Sequence, residues 1–394
     1  VALPLAVWER EILPSRIAGE DEDALDTLCQ SGEVAWVASG KDAQHSRVRF
    51  MFRGEGALLL GSPAPDVSLL STVAQSAYRF LQEEGASFTA DMEAGLGIKP
   101  SALSTALAEL ATGGLVTNDT LDALRQIAQH SASPEARAAL SPLEAELSRR
   151  PQAALRRPTP SRFRDAKRRV RARLKTESAS TWPGRWSLVH RVSLLGPALS
   201  DEERASRLAR VLLARYGVLM RECLESEEGG DWSQIYPHLE RMEMRGELRR
   251  GYFVSGLSGA QFALPEAVEH LRAASAATDD ALVTLNATDP AILPGAAFSD
   301  GSPRFARVPS THCLWWRGRL VLAAEDGGKR ITTGQDIGRD IVERALQQYV
   351  SRVSAPGHLV VAAWNGLPIL ETEGQAFLRA LGFSRAPAAM ERWR

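Results

Sequence analysis

The sequence predicts an α+β protein: tandem winged-helix domains followed by a β-barrel-like domain with flanking helices. Three observations predict it. Residues 201–265 read as helix, helix, helix and hairpin, residues 67–121 repeat that order, and residues 281–364 break into short apolar segments between glycine-rich turns. The chain then divides into a partial winged-helix-like unit with a β-hairpin (1–66), a winged helix (67–130), a basic Pro/Ala/Arg linker (131–192), a further winged helix (193–275) and a β-barrel-like C-terminal domain (276–394).

In the first unit, a helix around 23–29 precedes two strands. Residues 33–38 alternate around Val34 and Trp36, and 47–52 set Val48, Phe50 and Phe52 against Arg47, Arg49, Met51 and Arg53. Period-two alternation predicts a half-buried hairpin with an arginine-rich outer face. That face either meets phosphate as a wing, with Arg47 and Arg49 as contacts, or is simply solvated.

The winged helix at 67–130 has helices at 69–81, 91–95 and 101–111, with Leu103, Leu107 and Leu110 inward, and a strand from Leu115. Its third helix lacks arginine, which favours packing over phosphate contact. The linker is dense in arginine, including Arg168 and Arg169, with few acids opposing it. Such a run attracts nucleic-acid backbones without reading sequence. It closes on Arg185 and Trp186, a pair that either stacks on a base or anchors the linker.

In the unit at 193–275, Leu208, Val211 and Leu212 mark a first helix and 220–224 a short second one. Asp231 is placed to cap a third, on which Ile235, Leu239 and Met242 fall at i, i+4 and i+7. The opposite face then carries His238, Arg241 and Arg245. Pro237 is awkward there and predicts a kink or a later start. Gly246 suits the helix end, and strands at 247–254 and 260–264 make a wing bearing Arg249, Arg250 and Tyr252. A winged helix that only packs against its neighbours is the alternative.

The last domain has strands at 281–286, 312–316, 320–324, 330–333 and 358–364, a long helix at 336–353 and a final one at 373–381. A small barrel or curled sheet flanked by helices accounts for them.

Composition sets the outer limits. At 394 residues with 44% hydrophobic and 24% charged residues, the chain matches an ordinary globular protein of about two to four domains. The three cysteines, Cys29, Cys223 and Cys313, form no CxxC pair, so neither a disulfide framework nor a zinc site is indicated, and a reducing cytoplasm fits. No apolar run approaches the roughly 20 residues of a membrane span, and no signal peptide is visible. The absence of an initiator methionine suggests a piece of something longer.

There is no GxxxxGK[ST] phosphate loop, no HxxxH and no GxSxG. No metal site is expected. Carboxylates are the remaining candidate catalysts: Asp289, just beyond a strand, and Glu391, near the C-terminal end. Either one beside nucleic acid would activate a water, as excision of a flipped base requires. Equally, Asp289-Pro290 is good turn chemistry and Glu391 reads as a solvated tail residue.

Several stretches resemble one family. Gly184-Arg185-Trp186-Ser187-Leu188, Arg215-Tyr216-Gly217-Val218, Arg249-Arg250-Gly251-Tyr252-Phe253-Val254, Gly259-Ala260-Gln261-Phe262-Ala263-Leu264-Pro265 and Ala287-Thr288-Asp289-Pro290 are similar to the C-terminal region of the large helicase-related (Lhr) proteins. Ser31-Gly32-Glu33-Val34 with Trp36, and Val116-Thr117-Asn118-Asp119-Thr120, match upstream. The resemblance implies the extension of a DNA-repair-associated, ATP-dependent 3′-to-5′ helicase, with ATP and Mg confined to a motor core outside this chain. It also implies a fold similar to AlkZ-type DNA glycosylases and, for some members, uracil excision. The Gln-apolar-Gln motif of those glycosylases does not occur here, so an acid such as Glu391 would be a different solution.

The resemblance and the residues point to the first of three functions, with the other two as alternatives. The first is a nucleic-acid-binding and assembly module whose partners are single-stranded DNA or a DNA/RNA hybrid, the helicase core of the same polypeptide and a second copy. The second is a DNA glycosylase, which clustering of Arg49, Arg185, Arg249 and Gln261 with an acid would favour. The third is an oligomerisation module.

Overall fold

The structure, a computed structural model, describes residues 1–17, 24–40, 46–60, 66–130, 182–227, 230–255, 257, 259–292, 304–353 and 357–393. Arg168, Arg169 and the basic run around them lie outside the described residues. The chain divides into two units, one of Ala2–Leu5 with Asp21–Ala198, the other of Val1, Ala6–Glu20 and Leu199–Arg394.

The first unit begins with α1 (Ala24–Gln30), followed by the antiparallel hairpin β1 (Val34–Ser39) and β2 (Arg47–Phe52), in register from Val34↔Phe52 to Ser39↔Arg47. The half-buried reading of this hairpin does not hold. β1 is buried from Val34 to Ala38, and on β2 Arg49 and Met51 are buried while Phe52 is exposed. The reason is that β1 is covered on both faces, by α1 and by the winged helix that follows, so alternation no longer separates core from water. A short helix, α2 (Gly56–Leu60), follows, and its Leu59 carbonyl accepts from Arg49 Nη1 at 3.0 Å.

The winged helix comprises α3 (Thr72–Glu83), β3 (Ser87–Phe88), α4 (Thr89–Leu96), α5 (Pro100–Thr112) and β4 (Val116–Asn118), then α6 (Leu121–His130). Ser71 caps α3, and the Glu109 carboxylate accepts from the Ser71 N–H and hydroxyl at 2.8 and 2.6 Å, tying α3 to α5. The end of the expected linker belongs to this sheet. β5 (Arg185–Leu188) is its central strand, with β3 on one side and β4 on the other, and α7 (Val192–Leu195) follows.

In the second unit, α8 (Asp201–Tyr216) opens with a capping box between Ser200 and Glu203. β6 (Val218–Leu219) and a 3₁₀ turn (Arg221–Ser226) lead to α9 (Trp232–Met244), which Asp231 caps through the Ser233 N–H at 2.9 Å. Pro237 lies inside α9, so the helix starts where Asp231 indicates and tolerates the missing donor. Ile235, Leu239 and Met242 are buried, and so is His238, which had been expected on the opposite face. β7 (Arg249–Gly251) and β8 (Gln261–Ala263) complete a sheet of order β6-β8-β7, and α10 (Pro265–Ala276) follows.

Beyond it lie β9 (Leu282–Asn286), β10 (His312–Trp316), β11 (Arg319–Glu325), β12 (Arg330–Thr333), α11 (Arg339–Gln348) and a π-helical turn (Tyr349–Val353). They are followed by β13 (His358–Val361), β14 (Ala363–Trp364), β15 (Leu367–Pro368), α12 (Gly374–Ala380), β16 (Ser384–Arg385) and β17 (Met390–Trp393). Among the described residues no closed barrel forms. The sheets are open: six strands in the order β15-β14-β12-β11-β10-β9, and three in the order β13-β17-β16. The single strand expected at 358–364 changes sheet at Ala362, pairing antiparallel with β17 before the break and parallel with β12 after it.

Leu322, Ile331, Leu346, Tyr349, Val361, Trp364, Leu378 and Met390 form the core between these sheets and helices. Gly374 is required there, because a Cβ would sit 2.4 Å from the Trp364 ring. No helix among the described residues is long and apolar enough to cross a membrane.

Candidate functional site

Alternation along the three-stranded sheet creates the site. Leu359, Val361 and Met390 face the core, which turns His358, Val360, Glu391 and Trp393 to the other side. Register aligns them in two rows: His358 opposite Trp393, and Glu391 between Val360 on β13 and Ser384 on β16. The His358 ring lies flat on the Trp393 indole, with centroids 4.0 Å apart and planes 10° from parallel. His358 Nε2 is 3.1 Å from Glu391 Oε2.

An ionised carboxylate only accepts, so in this bond Nε2 carries the proton. Among the described residues the second carboxylate oxygen has no partner. Glu391 and His358 are each about a third open to solvent, and Trp393 is 75% exposed. A held carboxylate can accept a proton, and an exposed aromatic face can stack on a flat ring.

Asp289 has the opposite character and is corrected from catalyst to anchor. It is 1% exposed, and Arg16 grips both oxygens, Nη1 to Oδ2 at 2.8 Å and Nη2 to Oδ1 at 2.6 Å. The Ala291 N–H adds a bond to Oδ1 at 2.8 Å. The Asp289 N–H donates to the Asn286 carbonyl, and Asn286 Oδ1 in turn accepts from Thr288, so the segment is a closed turn. The hydrogen bond to Asp289 raises the Arg16 pKa against the lowering effect of burial.

Two expected nucleic-acid contacts are structural. Trp186 is fully buried between Trp36, edge-on at 6.2 Å, and Trp182 at 5.5 Å, so no base reaches it. Gln261 is buried in the wing, where its Oε1 accepts from the Phe253 and Val254 N–H groups at 2.8 Å and its Nε2 donates to the Val254 carbonyl at 2.9 Å. Gln261 therefore clamps the wing shut upon itself.

The arginines of this winged helix already face carboxylates. Arg250 lies between Glu240 and Glu243, at 3.1 and 2.6 Å, with its guanidinium 4.9 Å from the Phe262 ring centroid. Arg241 meets Glu202 at 3.1 Å, and Arg245 and Arg249 lie 3.8 and 3.9 Å from Glu247 and Glu269. Exposed pairs at such distances are weak enough to exchange for phosphate. Arg250, held by two acids and an aromatic face, is not so readily freed. In the other unit Arg185 pairs with Asp119 at 2.8 Å, Arg49 is buried and Arg47 is exposed. The expected grouping of Arg49, Arg185, Arg249 and Gln261 is divided between the two units. Tyr252 is 90% exposed beside the wing.

A groove of about 320 Å³ at the start of α8 is lined by Glu202, Glu203, Arg207, His238 and Arg241, with Ser200 and Ser206. Burial, then the nearby Arg241, push the His238 pKa down. Its charges of both signs give it no preference for an anion. Among the described residues no group of three or more His, Cys, Asp or Glu could hold a metal ion.

Sequence reading named Glu391 but missed His358 and Trp393. The only signal was alternation over four residues in each of two distant strands, too short to set inward from outward faces.

Two segments match models described as large helicase-related protein, winged-helix domain, at residues 1–53 and 198–283. The Lhr helicase/uracil glycosylase of Escherichia coli (strain K12) is 28% identical over 409 aligned residues, covering 99% of this chain and 25% of its own length. The Lhr helicase/probable uracil glycosylase of Mycolicibacterium smegmatis is 29% identical, covering 99% and 26%. This chain thus spans about a quarter of the curated relatives it matches. Among solved structures, the Streptomyces sahachiroi DNA glycosylase AlkZ aligns over 90% of this chain and 88% of its own, at 16% identity and a TM-score of 0.39. With winged-helix models of the large helicase-related proteins matched at both positions, and Lhr relatives aligned along nearly all of its length, the chain is similar to a part of those proteins.

Proposed function

We propose that this chain binds DNA and removes uracil from it by hydrolysis, with Glu391 acting on the glycosidic bond. The observation that carries this reading is the Glu391 carboxylate held by His358 beside the exposed Trp393 indole. The uracil glycosylase named in both relatives supports it.

Hydrolysis breaks the bond between C1′ and N1, and its electron pair leaves with uracil. Water oxygen bonds to C1′ while the open oxygen of Glu391 takes the water proton, which returns to the departing uracil or to solvent. The negative carboxylate also opposes the positive charge that develops on the sugar. His358 is a positioning residue: its N–H fixes the orientation of the carboxylate. A base inside a duplex is out of reach of a sheet face, so single-stranded substrate or an extruded nucleotide is expected.

The test is release of uracil from a labelled single-stranded oligonucleotide, read by alkaline cleavage at the abasic site. Glu391→Gln is expected to lower single-turnover excision by about 100-fold or more, with oligonucleotide binding retained. Unchanged excision in Glu391→Gln refutes the assignment.

A second reading, binding and assembly in service of a helicase motor, draws on the exposed Tyr252 and the exchangeable Arg245 and Arg249 of the wing. ATP and Mg, a DNA/RNA hybrid as ligand and a second copy as partner belong to it. Tight binding without any excision by the wild-type chain selects this reading.

A further inference from the structure

We infer that Trp393 is a stacking platform for one unpaired nucleobase. The inference rests on the excision reading for the identity of the base as uracil, and on the geometry alone for the stacking.

One ring face of the indole lies against His358 at 4.0 Å, and three quarters of the residue is open, so the free surface is the opposite ring face. Two contacts position the indole. The β17 backbone is paired to β13 at His358↔Trp393, and the imidazole beneath limits rotation of the ring. A ring already stacked on one face is partly ordered, and a base landing on the other completes an imidazole–indole–base stack at a reduced ordering cost.

The platform also has the right spacing from the acid. Glu391 and Trp393 are two residues apart on one face of a strand, about 6.8 Å along the backbone, which leaves the sugar of a stacked base within reach of the carboxylate. A base on the indole therefore brings its sugar toward the carboxylate row, where Ser384 and Val360 flank Glu391. A stack makes no distinction among bases, so this surface captures an unpaired base and leaves discrimination to polar contacts at its edge.

The test compares two labelled single-stranded oligonucleotides, one with a single uracil and one with tetrahydrofuran, which lacks the base, at the same position. Affinities are measured by anisotropy with the full chain carrying Glu391→Gln, so that the uracil stays in place. The parent is expected to bind the uracil strand about tenfold more tightly. Adding Trp393→Ala is expected to abolish that difference, and Trp393→Phe to keep most of it. The side chain is exposed, so an unchanged thermal midpoint is expected for both variants.

No difference in the parent, a difference that survives Trp393→Ala, or an equal loss for both strands would each overturn the platform. Absence of uracil release by the wild-type chain, with a Trp393-dependent difference intact, would sink the excision reading and leave the platform standing.

Discussion

At the scale of single residues, the two candidate acids differ in how many carboxylate oxygens are already taken. Asp289 has both oxygens bound and is 1% exposed, whereas among the described residues Glu391 has a partner on one oxygen alone. The Arg16–Asp289 pair should also respond unequally to loss of its halves. Arg16→Ala strands a buried negative charge and is expected to cost about 3–5 kcal/mol. Asp289→Ala leaves a guanidinium that is 41% exposed and can regain water, so the expected cost is about 1–3 kcal/mol. Denaturant unfolding of the two variants checks the order, and equal costs would remove the argument. Asp289 is also why residue type misled the sequence reading. An acid after a strand reads the same whether or not an arginine some 270 positions earlier closes on it.

At the scale of elements, the wing depends on Gln261. Replacing it with Ala leaves the Phe253 and Val254 N–H groups without their acceptor, an expected cost of about 1–3 kcal/mol. Faster amide hydrogen exchange at 253–254 would report it, and unchanged exchange would argue against the clamp. Two histidines predict a pH effect on the elements that hold them. Burial lowers the pKa of His190 and, with Arg241, of His238, below the ordinary value of 6.5. The unfolded chain then binds more protons than the folded chain between the lowered pKa and 6.5. Stability from these groups is accordingly complete above pH 6.5 and is lost as pH falls toward the folded-state values. His238→Gln is expected to flatten the fall in thermal midpoint between pH 7.5 and pH 5; an unaltered slope would contradict the assignment. Helices were read well at this scale because their periodicity is local: the Ser200–Glu203 box and the Asp231 cap are written in adjacent residues. The β1–β2 hairpin was misread because covering both faces of a strand erases the alternation that would reveal its orientation.

At the scale of the whole molecule, the proposed affinity for nucleic acid would draw on two sources that salt separates. Stacking on an aromatic surface is nearly indifferent to ionic strength, whereas phosphate contacts release counterions. Replacing Arg168 and Arg169 by Gln is expected to weaken single-strand binding and to reduce the slope of log K against log salt by about 1. Trp393→Ala is expected to lower affinity with the slope unchanged. A change of slope on losing Trp393, or none on losing the arginine pair, would reverse the division. The sequence by itself determined the helices of the winged-helix units, their caps and turns, the strands of the last domain up to Trp364 and the two acids to weigh, because each is encoded within a dozen neighbouring residues, whereas β15, β16 and β17 were not read. Tertiary structure alone decided that β5 closes a sheet opened about 100 residues earlier, that Trp186 and Gln261 are buried, and that among the described residues the strands of the last domain form two open sheets. It also decided that His358 and Trp393 flank Glu391. Strand pairing across long separations sets those neighbours, and nothing in the local pattern carries the register.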